Sequence, residues 1–218
     1  MESLFQSLAI WNDIATRSPA EHMAVDEALL LSSQHPVLRL YSWVAPAVTF
    51  GCAQRFAEAS GLAGGHVAIR RWTGGGVVFH GQDLTLSVAL PSVHEAMSSR
   101  DVYRILHDHV VSAIQAGRPV LRLANDSDIR NGTACFVNPA LHDVMDGQTK
   151  ICGGALRRGK SGILYQGSLA GSSEAERTQL AQSFGEVSMP FENQAEVEER
   201  AARLVVEKYG TPQWNLRR

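Results

Sequence analysis

Three consecutive glycines after two arginines constrain the fold of this chain more than any other feature. They stand in the run Arg70-Arg71-Trp72-Thr73-Gly74-Gly75-Gly76-Val77-Val78-Phe79-His80. Glycine has no Cβ, so its main-chain N–H groups can approach a phosphate or carboxylate closely, and arginine adds charge and paired donors. The same run is also typical of a hairpin turn between strands near Val67 and Val77. Alone, the glycines predict a tight turn and permit an anion site.

A second glycine-rich segment follows later in the chain. It reads Lys150-Ile151-Cys152-Gly153-Gly154-Ala155-Leu156-Arg157-Arg158 and continues into Gly162-Ile163-Leu164-Tyr165-Gln166-Gly167-Ser168-Leu169. Together the two segments resemble the lipoate-protein ligase and octanoyltransferase family, which shares its catalytic fold with biotin-protein ligases. The family signature is Arg-Arg-x-Ser/Thr-Gly-Gly-Gly-x-Val-x-His, then Lys-x-x-Gly-x-Ala-x-Arg and Gln/His-Gly-Ser/Thr. Residues 23–29 and 38–54 also resemble family segments, in the family's order.

The resemblance implies an α/β (α+β) fold, with a mixed, mostly antiparallel sheet and helices packed over one side. A chain of 218 residues that is 44% hydrophobic is suited to one globular domain. We therefore predict a single biotin/lipoate-ligase-like catalytic domain over residues 1–218. We expect the segment after Gly167-Ser168 to be too short for a separate C-terminal accessory domain.

The resemblance also implies protein lipoylation, in which a lipoyl or octanoyl group is joined by an amide bond to an acceptor lysine. The acceptor would be the lipoyl domain of a 2-oxoacid dehydrogenase or a glycine-cleavage type protein. The ligase-like form of the glycine run makes an ATP-dependent lipoate-protein ligase, acting through lipoyl-AMP, the leading interpretation. Such a ligase would need ATP and Mg²⁺, because phosphate charge must be neutralised as pyrophosphate leaves. Biotin as the acyl group and a non-catalytic lipoyl-binding module are weaker alternatives.

Lys150 is the first candidate for a catalytic residue. In the resembling enzymes, the lysine of this motif contacts the acyl carbonyl and the adenylate phosphate, and an ammonium stabilises negative charge that develops there. A solvated edge lysine is the structural alternative. Side chains alternate along a strand, so only one of Arg70 and Arg71 can readily face a pocket, and motif position favours Arg71. The predicted ligand-binding residues are Arg70, Arg71, Gly74, Gly75, Gly76, Val77, Val78, His80, Gly153, Gly154 and Ala155.

Cys135 separates two mechanisms. Cysteine-type octanoyltransferases carry a Cys-Phe segment before the lysine motif, and Cys135-Phe136 stands there in this chain. A thiolate beside an ammonium could accept an acyl group from acyl carrier protein as a thioester, with no need for ATP. A small buried side chain is the alternative for Cys135. Cys152 is a rival thiol, but the family usually has a small residue there, which favours packing.

An acyl chain also needs an apolar tunnel, for which the candidate lining residues are Trp43, Val78 and Leu86. Each of them suits a plain core equally well. His80 could orient the acyl group or a neighbouring strand, or be a hydrogen-bonded structural histidine. The aspartate that usually follows this histidine in the family is absent.

The sequence pattern predicts alternating helices and strands. Ser18-Pro19-Ala20-Glu21 predicts a capped helix to about residue 33, with Asp26 and Glu27 facing away from its apolar side. A second helix is predicted over residues 100–116, and two more after residue 173. Strands are predicted at residues 37–43, 66–71, 77–79, 83–90, 120–123, 141–145, 149–156 and 163–169. Pro91 should end the fourth strand, and Asp146-Gly147 should form a hairpin turn.

Composition and other motifs exclude several alternatives. Residues 154–161 fit the phosphate-loop pattern G-x-x-x-x-G-K-[ST], but a strand rather than a helix is predicted to follow, so we interpret the match as accidental. A net charge of -2 argues against a nucleic-acid-binding surface. No apolar run is long enough for a membrane helix, and no secretory signal is evident. The three cysteines lack metal-ligand spacing, so we expect no metal site and a cytoplasmic protein with reduced thiols.

Overall fold

An eight-stranded sheet forms the centre of the molecule, and a three-stranded sheet packs against it. The computed structural model describes residues 7–91, 97–129, 138–184 and 187–217. The strands are β1 (Ser7–Asn12), β2 (Val37–Ser42), β3 (Ala47–Phe50), β4 (Val67–Arg70), β5 (Val78–His80), β6 (Leu84–Pro91), β7 (Leu121–Leu123), β8 (Val144–Asp146), β9 (Thr149–Gly159), β10 (Gly162–Leu169) and β11 (Val187–Pro190). The helices are α1 (Pro19–Ser32), α2 (Phe56–Leu62), α3 (Ser99–Ile114), α4 (Glu174–Ser183), α5 (Gln194–Leu204), which continues as a π-helical turn (Val205–Tyr209), and α6 (Pro212–Asn215).

The pairing of the strands confirms the predicted fold class. The large sheet has the order β11-β1-β2-β6-β10-β9-β8-β7. Within it β1 runs parallel to β2 and β11, and the other neighbours pair antiparallel. In the small sheet β3 is central, parallel to β4 and antiparallel to β5. The protein is therefore an α/β structure with a mixed, mostly antiparallel sheet.

Helices cover both faces of the large sheet, so the prediction that they pack over one side was wrong. The central strand β6 is buried at all eight of its positions, and both of its faces need a cover. Leu86 and Val88 belong to a core that includes side chains of α3 and α4, whereas Ala89 belongs to a second core with α1 and α5. The strand also extends one residue further than predicted, because Pro91 still pairs with Gly162.

The first helix begins as predicted but buries its acidic residues. Ser18 is the N-cap, and Glu21 completes the capping box. Asp26 and Glu27 do not face away from the core, since both are buried. A buried carboxylate is tolerated when it is paired. Asp26 accepts a hydrogen bond from Arg39, and Glu27 accepts one from Lys208.

Two hairpins build the strand that carries the second glycine motif. The chain turns between β8 and β9 at Gly147, whose φ of 60° suits glycine, as the Asp146-Gly147 pair predicted. A two-residue turn then joins β9 to β10. Residues 154–161, which match the phosphate-loop pattern, run along β9 into this turn, and β10 follows instead of a helix. The match is therefore accidental, as predicted.

Several described elements have no clear signal in the sequence, namely β1, β3, α2, β11 and α6. The small sheet and α2 enclose a separate apolar cluster that includes Val48, Phe50 and Ala59. This cluster also contains Val77, which directly follows the glycine run, so it ties the end of the run to β3 and α2. Among the described helices, none is both long and apolar enough to cross a bilayer.

Candidate active site

A cavity of about 180 Å³ lies between the large sheet and the small sheet. Strands β6, β9 and β10 supply one wall, and β3, β5 and the glycine run supply the other. Met23 of α1, Tyr41 and Trp43 add apolar surface, as expected of a site for an acyl group. The predicted site residues that line this cavity are Arg71, Gly75, Gly76, Val78, His80, Lys150, Gly153, Gly154 and Ala155.

Other predicted residues lie elsewhere. Arg70 and Gly74 do not line the cavity, and Val77 packs in the apolar cluster beneath the small sheet. Of the predicted tunnel residues, Trp43 and Val78 do line the cavity, whereas Leu86 points into the core on the other face of the sheet. Leu86 alternates with Thr85, and Thr85 takes the cavity side.

The glycine run takes its shape from close packing of backbone and from Arg71. Gly75 has a φ of 83°, which disfavours other residues, and its carbonyl oxygen lies so close to Gly51 that a Cβ there would sit 2.0 Å away. The Arg71 guanidinium folds back over the loop and donates to the carbonyl oxygens of Gly74 (2.9 Å) and Gly76 (2.8 Å). Arg71 therefore lines the cavity and also holds the loop that faces it.

Arg70 turns to the opposite side and serves the C-terminal segment. Its guanidinium donates to the carbonyl oxygens of Trp214 (3.0 Å) and Asn215 (3.1 Å), and its side chain is fully buried. Two further carbonyls, of Cys52 and Gln54, accept from the same group. Of the two arginines, Arg71 thus lines the cavity and Arg70 does not.

Lys150 lies on the cavity wall in an ion pair with Asp143. The Nζ to Oδ2 distance is 2.8 Å, and both side chains are largely buried. Gly153 makes room for the ammonium, because a Cβ there would lie 2.6 Å from Nζ. Asp143 is itself fixed by the Tyr103 hydroxyl at 2.5 Å and by the N–H of Ala140 at 2.7 Å. The lysine is therefore held by a rigid arrangement of buried groups.

Tyr103 and Asp143 were missed from the sequence. Burial and the neighbouring Asp143 carboxylate raise the pKa of Tyr103 well above its usual value, so the phenol stays protonated and donates to Asp143. The same hydroxyl accepts from the N–H of Gly154 at 2.9 Å. Tyr103 looks like any partly apolar residue of an amphipathic helix, and Asp143 falls within the strand predicted over residues 141–145, with no motif that marks it. Only their contact with the lysine motif distinguishes them.

His80 is held at both ring nitrogens and on one face. Its Nδ1 lies 2.8 Å from Asp83, its Nε2 lies 2.8 Å from the Thr49 hydroxyl, and the Trp43 ring stacks on it at 4.0 Å. Thr49 accepts from Arg71, so its hydroxyl can donate to Nε2 while Nδ1 donates to Asp83. Burial alone would raise the pKa of Asp83, but its hydrogen bonds lower it. Asp83, three residues after His80, thus fixes one ring nitrogen of this histidine.

Gln166 connects the glycine run to a buried ion pair. Its Oε1 accepts from the Thr73 hydroxyl at 2.7 Å, and its Nε2 donates to Asp26 at 2.6 Å. Asp26 in turn accepts from Arg39 at 2.6 Å. Gln166 also lines the cavity, so its hydrogen bond to Asp26 connects the cavity wall to α1.

The cysteines differ in what the structure describes. Cys152 is fully buried in the core, and burial raises the pKa of its thiol to about 12, so the packing role that was favoured for it fits. Cys135 lies outside the described residues, and its place beside Lys150 stays a prediction. Cys52 is half-buried. In the described part of the chain, no group of three or more His, Cys, Asp or Glu side chains is arranged to hold a metal ion.

Comparison with known proteins supports the family resemblance that the two glycine-rich motifs indicated. The family profile of the lipoyl protein ligase A/B catalytic domain matches residues 18–204. Octanoyltransferase LipM of Symbiobacterium thermophilum is 31% identical over 172 residues, which is 72% of this chain and 63% of the relative. Octanoyltransferase LipM of Oceanobacillus iheyensis is 33% identical over 168 residues, with 72% and 62% covered. The chain thus spans somewhat less than two thirds of these curated relatives.

Solved structures share the fold across nearly the whole chain. A lipoate-protein ligase A bound with ATP has a TM-score of 0.77 at 22% identity, with 99% of both chains covered. A bi-partite lipoate protein ligase from Thermoplasma acidophilum, studied with its E2 lipoyl domain, has a TM-score of 0.70 at 23% identity. That likeness covers 100% of this chain and 98% of the other. At these identities the likeness concerns the fold alone.

Proposed function

Because this chain belongs to the lipoyl protein ligase A/B catalytic domain family, we propose that it joins an octanoyl or lipoyl group to a lysine of a lipoyl domain. The observation that carries the proposal is Lys150, which Asp143 holds on the wall of a partly apolar cavity opposite the glycine run. An ammonium in this place can stabilise the negative charge that an acyl oxygen acquires during transfer. The acceptor would belong to a 2-oxoacid dehydrogenase or glycine-cleavage type protein.

For the acyl donor we favour octanoyl-acyl carrier protein, although the glycine run by itself favoured an ATP-dependent ligase. Two observations support this choice. The relatives with 31% and 33% identity are octanoyltransferases. The Cys135-Phe136 segment stands before the lysine motif, where cysteine-type transferases carry their nucleophile.

The proposed reaction has two steps. The Cys135 thiolate attacks the thioester carbonyl of the donor, and the carrier leaves as a thiolate that takes up a proton. The amine of the acceptor lysine then attacks the Cys135 thioester, an amide forms, and the amine proton is released as the cysteine thiolate leaves. Each attack places negative charge on the acyl oxygen, and the Lys150 ammonium would donate to it. Met23, Tyr41 and Trp43 would exclude water from the acyl chain.

An ATP-dependent ligase is the second candidate, and the cavity wall favours it. Arg71 and Lys150 place two cations beside Gly75 and Gly76, which is chemistry that suits phosphate groups. ATP would activate the lipoate carboxylate as an acyl adenylate, with pyrophosphate as the leaving group, and Mg²⁺ would neutralise phosphate charge. Arg71, Lys150 and Asp143 are the residues that would hold them.

Mass spectrometry of the full chain with an acceptor lipoyl domain tests both candidates. The chain is offered octanoyl-acyl carrier protein, or lipoate with ATP and magnesium. Wild type is compared with Cys135→Ala and with Cys52→Ala, which removes a half-buried thiol outside the cavity as a matched control. For a transferase we expect an octanoyl adduct on the wild-type chain, and loss of both adduct and transfer in Cys135→Ala alone.

The other outcomes separate the alternatives. Transfer from lipoate and ATP that persists in Cys135→Ala would identify an adenylating ligase. An adduct that remains in Cys135→Ala but disappears in Cys52→Ala would assign the nucleophile to Cys52 instead. Absence of transfer from both donors, with a folded chain that still binds the lipoyl domain, would leave a binding module and overturn both enzymatic proposals.

A further inference from the structure

Five side chains near the cavity stack as alternating cations and aromatic rings. We call them the cation–indole ladder, and in order they are Arg157, Trp72, Lys208, Trp214 and Arg217. The Arg157 guanidinium carbon lies 4.4 Å from the centroid of Trp72, and Lys208 Nζ lies between the two indoles, 4.9 Å from Trp72 and 4.1 Å from Trp214. The Arg217 guanidinium carbon lies 3.7 Å from Trp214. Three cations thus converge, Arg157 from β9 and the other two from the C-terminal segment.

The ladder carries excess positive charge. Among the described residues, Glu27 is the only carboxylate in an ion pair with it, at 2.5 Å from Lys208 Nζ. The Nε atom of Arg157 is buried and has no hydrogen-bond partner among the described residues. Burial lowers the pKa of Lys208, and Arg157 and Arg217 lower it further against the opposing effect of Glu27. Indole rings attract cations but do not neutralise them. A bound anion would reduce the repulsion between the three cations and would accept a hydrogen bond from the Arg157 Nε.

One end of the ladder adjoins the cavity. Arg157 follows Ala155 by two residues on β9, so the two side chains share a face of the sheet, and Ala155 lines the cavity. Two residues of a strand span roughly 7 Å. Trp72 directly follows Arg71, which also lines the cavity. A ligand that extends from the cavity past Ala155 therefore meets the ladder.

Arg70 holds the other end of the ladder in place. It donates to the carbonyl oxygens of Trp214 and Arg217, and its own carbonyl accepts from the Trp214 indole N–H at 2.9 Å. The segment that carries Trp214 and Arg217 is thereby fixed to the strand that precedes the glycine run. These contacts with the C-terminal segment explain why Arg70, unlike its neighbour Arg71, does not reach the cavity.

We propose that the cation–indole ladder is a subsite for a phosphate group of the acyl donor. The proposal rests on the proposed function, and it deepens it by naming the chemistry that recognises the donor. A guanidinium pairs with phosphate oxygens through two N–H groups, and an ammonium adds a point charge. In octanoyl transfer the phosphate would be that of a phosphopantetheine arm, and in ligation it would be a phosphate of ATP.

Calorimetric titration of the full chain tests the subsite with two pairs of probes. In each pair one member lacks phosphate: octanoyl-phosphopantetheine against octanoyl-pantetheine, and ATP against adenosine. The variants are Arg217→Gln and Arg157→Gln, with Lys160→Gln in the exposed turn before β10 as the matched loss of one charge. Lys208 is left unchanged, because its removal would leave the buried Glu27 unpaired.

We expect both ladder variants to weaken the phosphate-bearing member of one pair about tenfold, as the loss of a charge-assisted contact does. Its phosphate-free partner should bind unchanged, and the pair that responds identifies the donor. Equal losses for both members, or the same loss in Lys160→Gln, would overturn the subsite. Phosphate-dependent binding without acyl transfer would sink the proposed function but keep the subsite. Acyl transfer by ladder variants whose preference for the phosphate-bearing probe is unchanged would overturn the subsite but keep the proposed function.

Discussion

Two buried cations, Arg39 and Lys150, stand in contrasting surroundings. Five hydrogen bonds leave the Arg39 guanidinium, to Asp13, Asp26 and the ring and carbonyl of His22. A guanidinium has five N–H groups, so every donor is used within the protein. Lys150 also has a buried carboxylate, Asp143, but its side chain lines the cavity.

The difference shows how a buried charge is assigned to structure or to chemistry. A cation that protein acceptors surround completely fixes the elements that carry them, here β2 and α1. A cation that has a carboxylate on one side and a cavity on another is oriented by the first and can act toward the second. Burial and charge are alike for a structural and a chemical cation. The two are separated by whether the N–H donors of the cation point only at protein acceptors or also toward the cavity.

The largest expected effect comes from removing the structural cation. Arg39→Met should cost about 3–5 kcal/mol of unfolding free energy, because Asp26 would remain buried without its cation and Asp13 would keep only Arg17. Urea unfolding measures it. Arg104→Met is the matched control, since it breaks a half-exposed pair with Asp108 and should cost less than about 1 kcal/mol. Equal losses in the two variants would show that the Arg39 network does not hold the fold together.

Removing the cation of the cavity should act mainly on rate. Lys150→Met should lower the rate of acyl transfer by about 10²–10³, the usual cost of losing one donor to a developing oxyanion. Some unfolding free energy should also be lost, because Asp143 loses its cation, but less than in Arg39→Met, since only one carboxylate is affected and Tyr103 and the N–H of Ala140 still donate to it. Single-turnover transfer and a thermal melt measure the two effects. A variant that unfolds like Arg39→Met would place Lys150 in the structural class and end the comparison.

The sequence predicted the features of this contrast that depend on short spacing. Alternation along a strand was enough to divide Arg70 from Arg71, and an Asp-Gly pair was enough for the turn before β9. The capping residues placed the start of α1. These signals are local, so they are present in the sequence before any tertiary contact forms.

The rest could not be predicted, because its partners come from far along the chain. Asp26 is buried where Arg39, Tyr41 and Gln166 donate to it. Glu27 is buried where Lys208 and Tyr209 donate to it. In an amphipathic pattern such carboxylates normally face solvent. Asp143 has the same difficulty, since its role appears only once Tyr103 of α3 is beside it. Tertiary contact decides these positions, and no short motif records it.

A buried histidine lies near each of the two cations, His22 near Arg39 and His107 near Lys150. The pH dependence of the unfolding free energy is therefore a further test of the comparison. Burial and Arg39 lower the pKa of His22 to about 3, and burial lowers that of His107, which contacts Tyr165, to about 4. The native state therefore stays neutral while the unfolded state takes up protons below about pH 6.5. Stability should be full above that pH and fall as pH decreases toward these values, by about 1.4 kcal/mol per pH unit for each histidine.

Urea unfolding at several pH values from about pH 7 to about pH 5 measures this slope. Glutamine can replace the hydrogen bonds of either ring but does not titrate, so His22→Gln and His107→Gln should each remove one proton's share of the slope. If His22→Gln keeps the wild-type slope while His107→Gln reduces it, the Arg39 region admits a proton or solvent, and its description as a closed network is wrong.

The smallest expected effect comes from the bond that joins the two regions. Thr73 of the glycine run donates to Gln166, and Gln166 donates to Asp26 of the Arg39 network. Thr73→Val keeps the shape of the side chain but leaves a buried acceptor unsatisfied, so it should cost about 1 kcal/mol and raise KM more than it lowers kcat. Thr73→Ser retains the hydroxyl and should restore both values. If valine changes stability but not KM, the structural network ends at Gln166, and the glycine run takes its position from Arg71 alone.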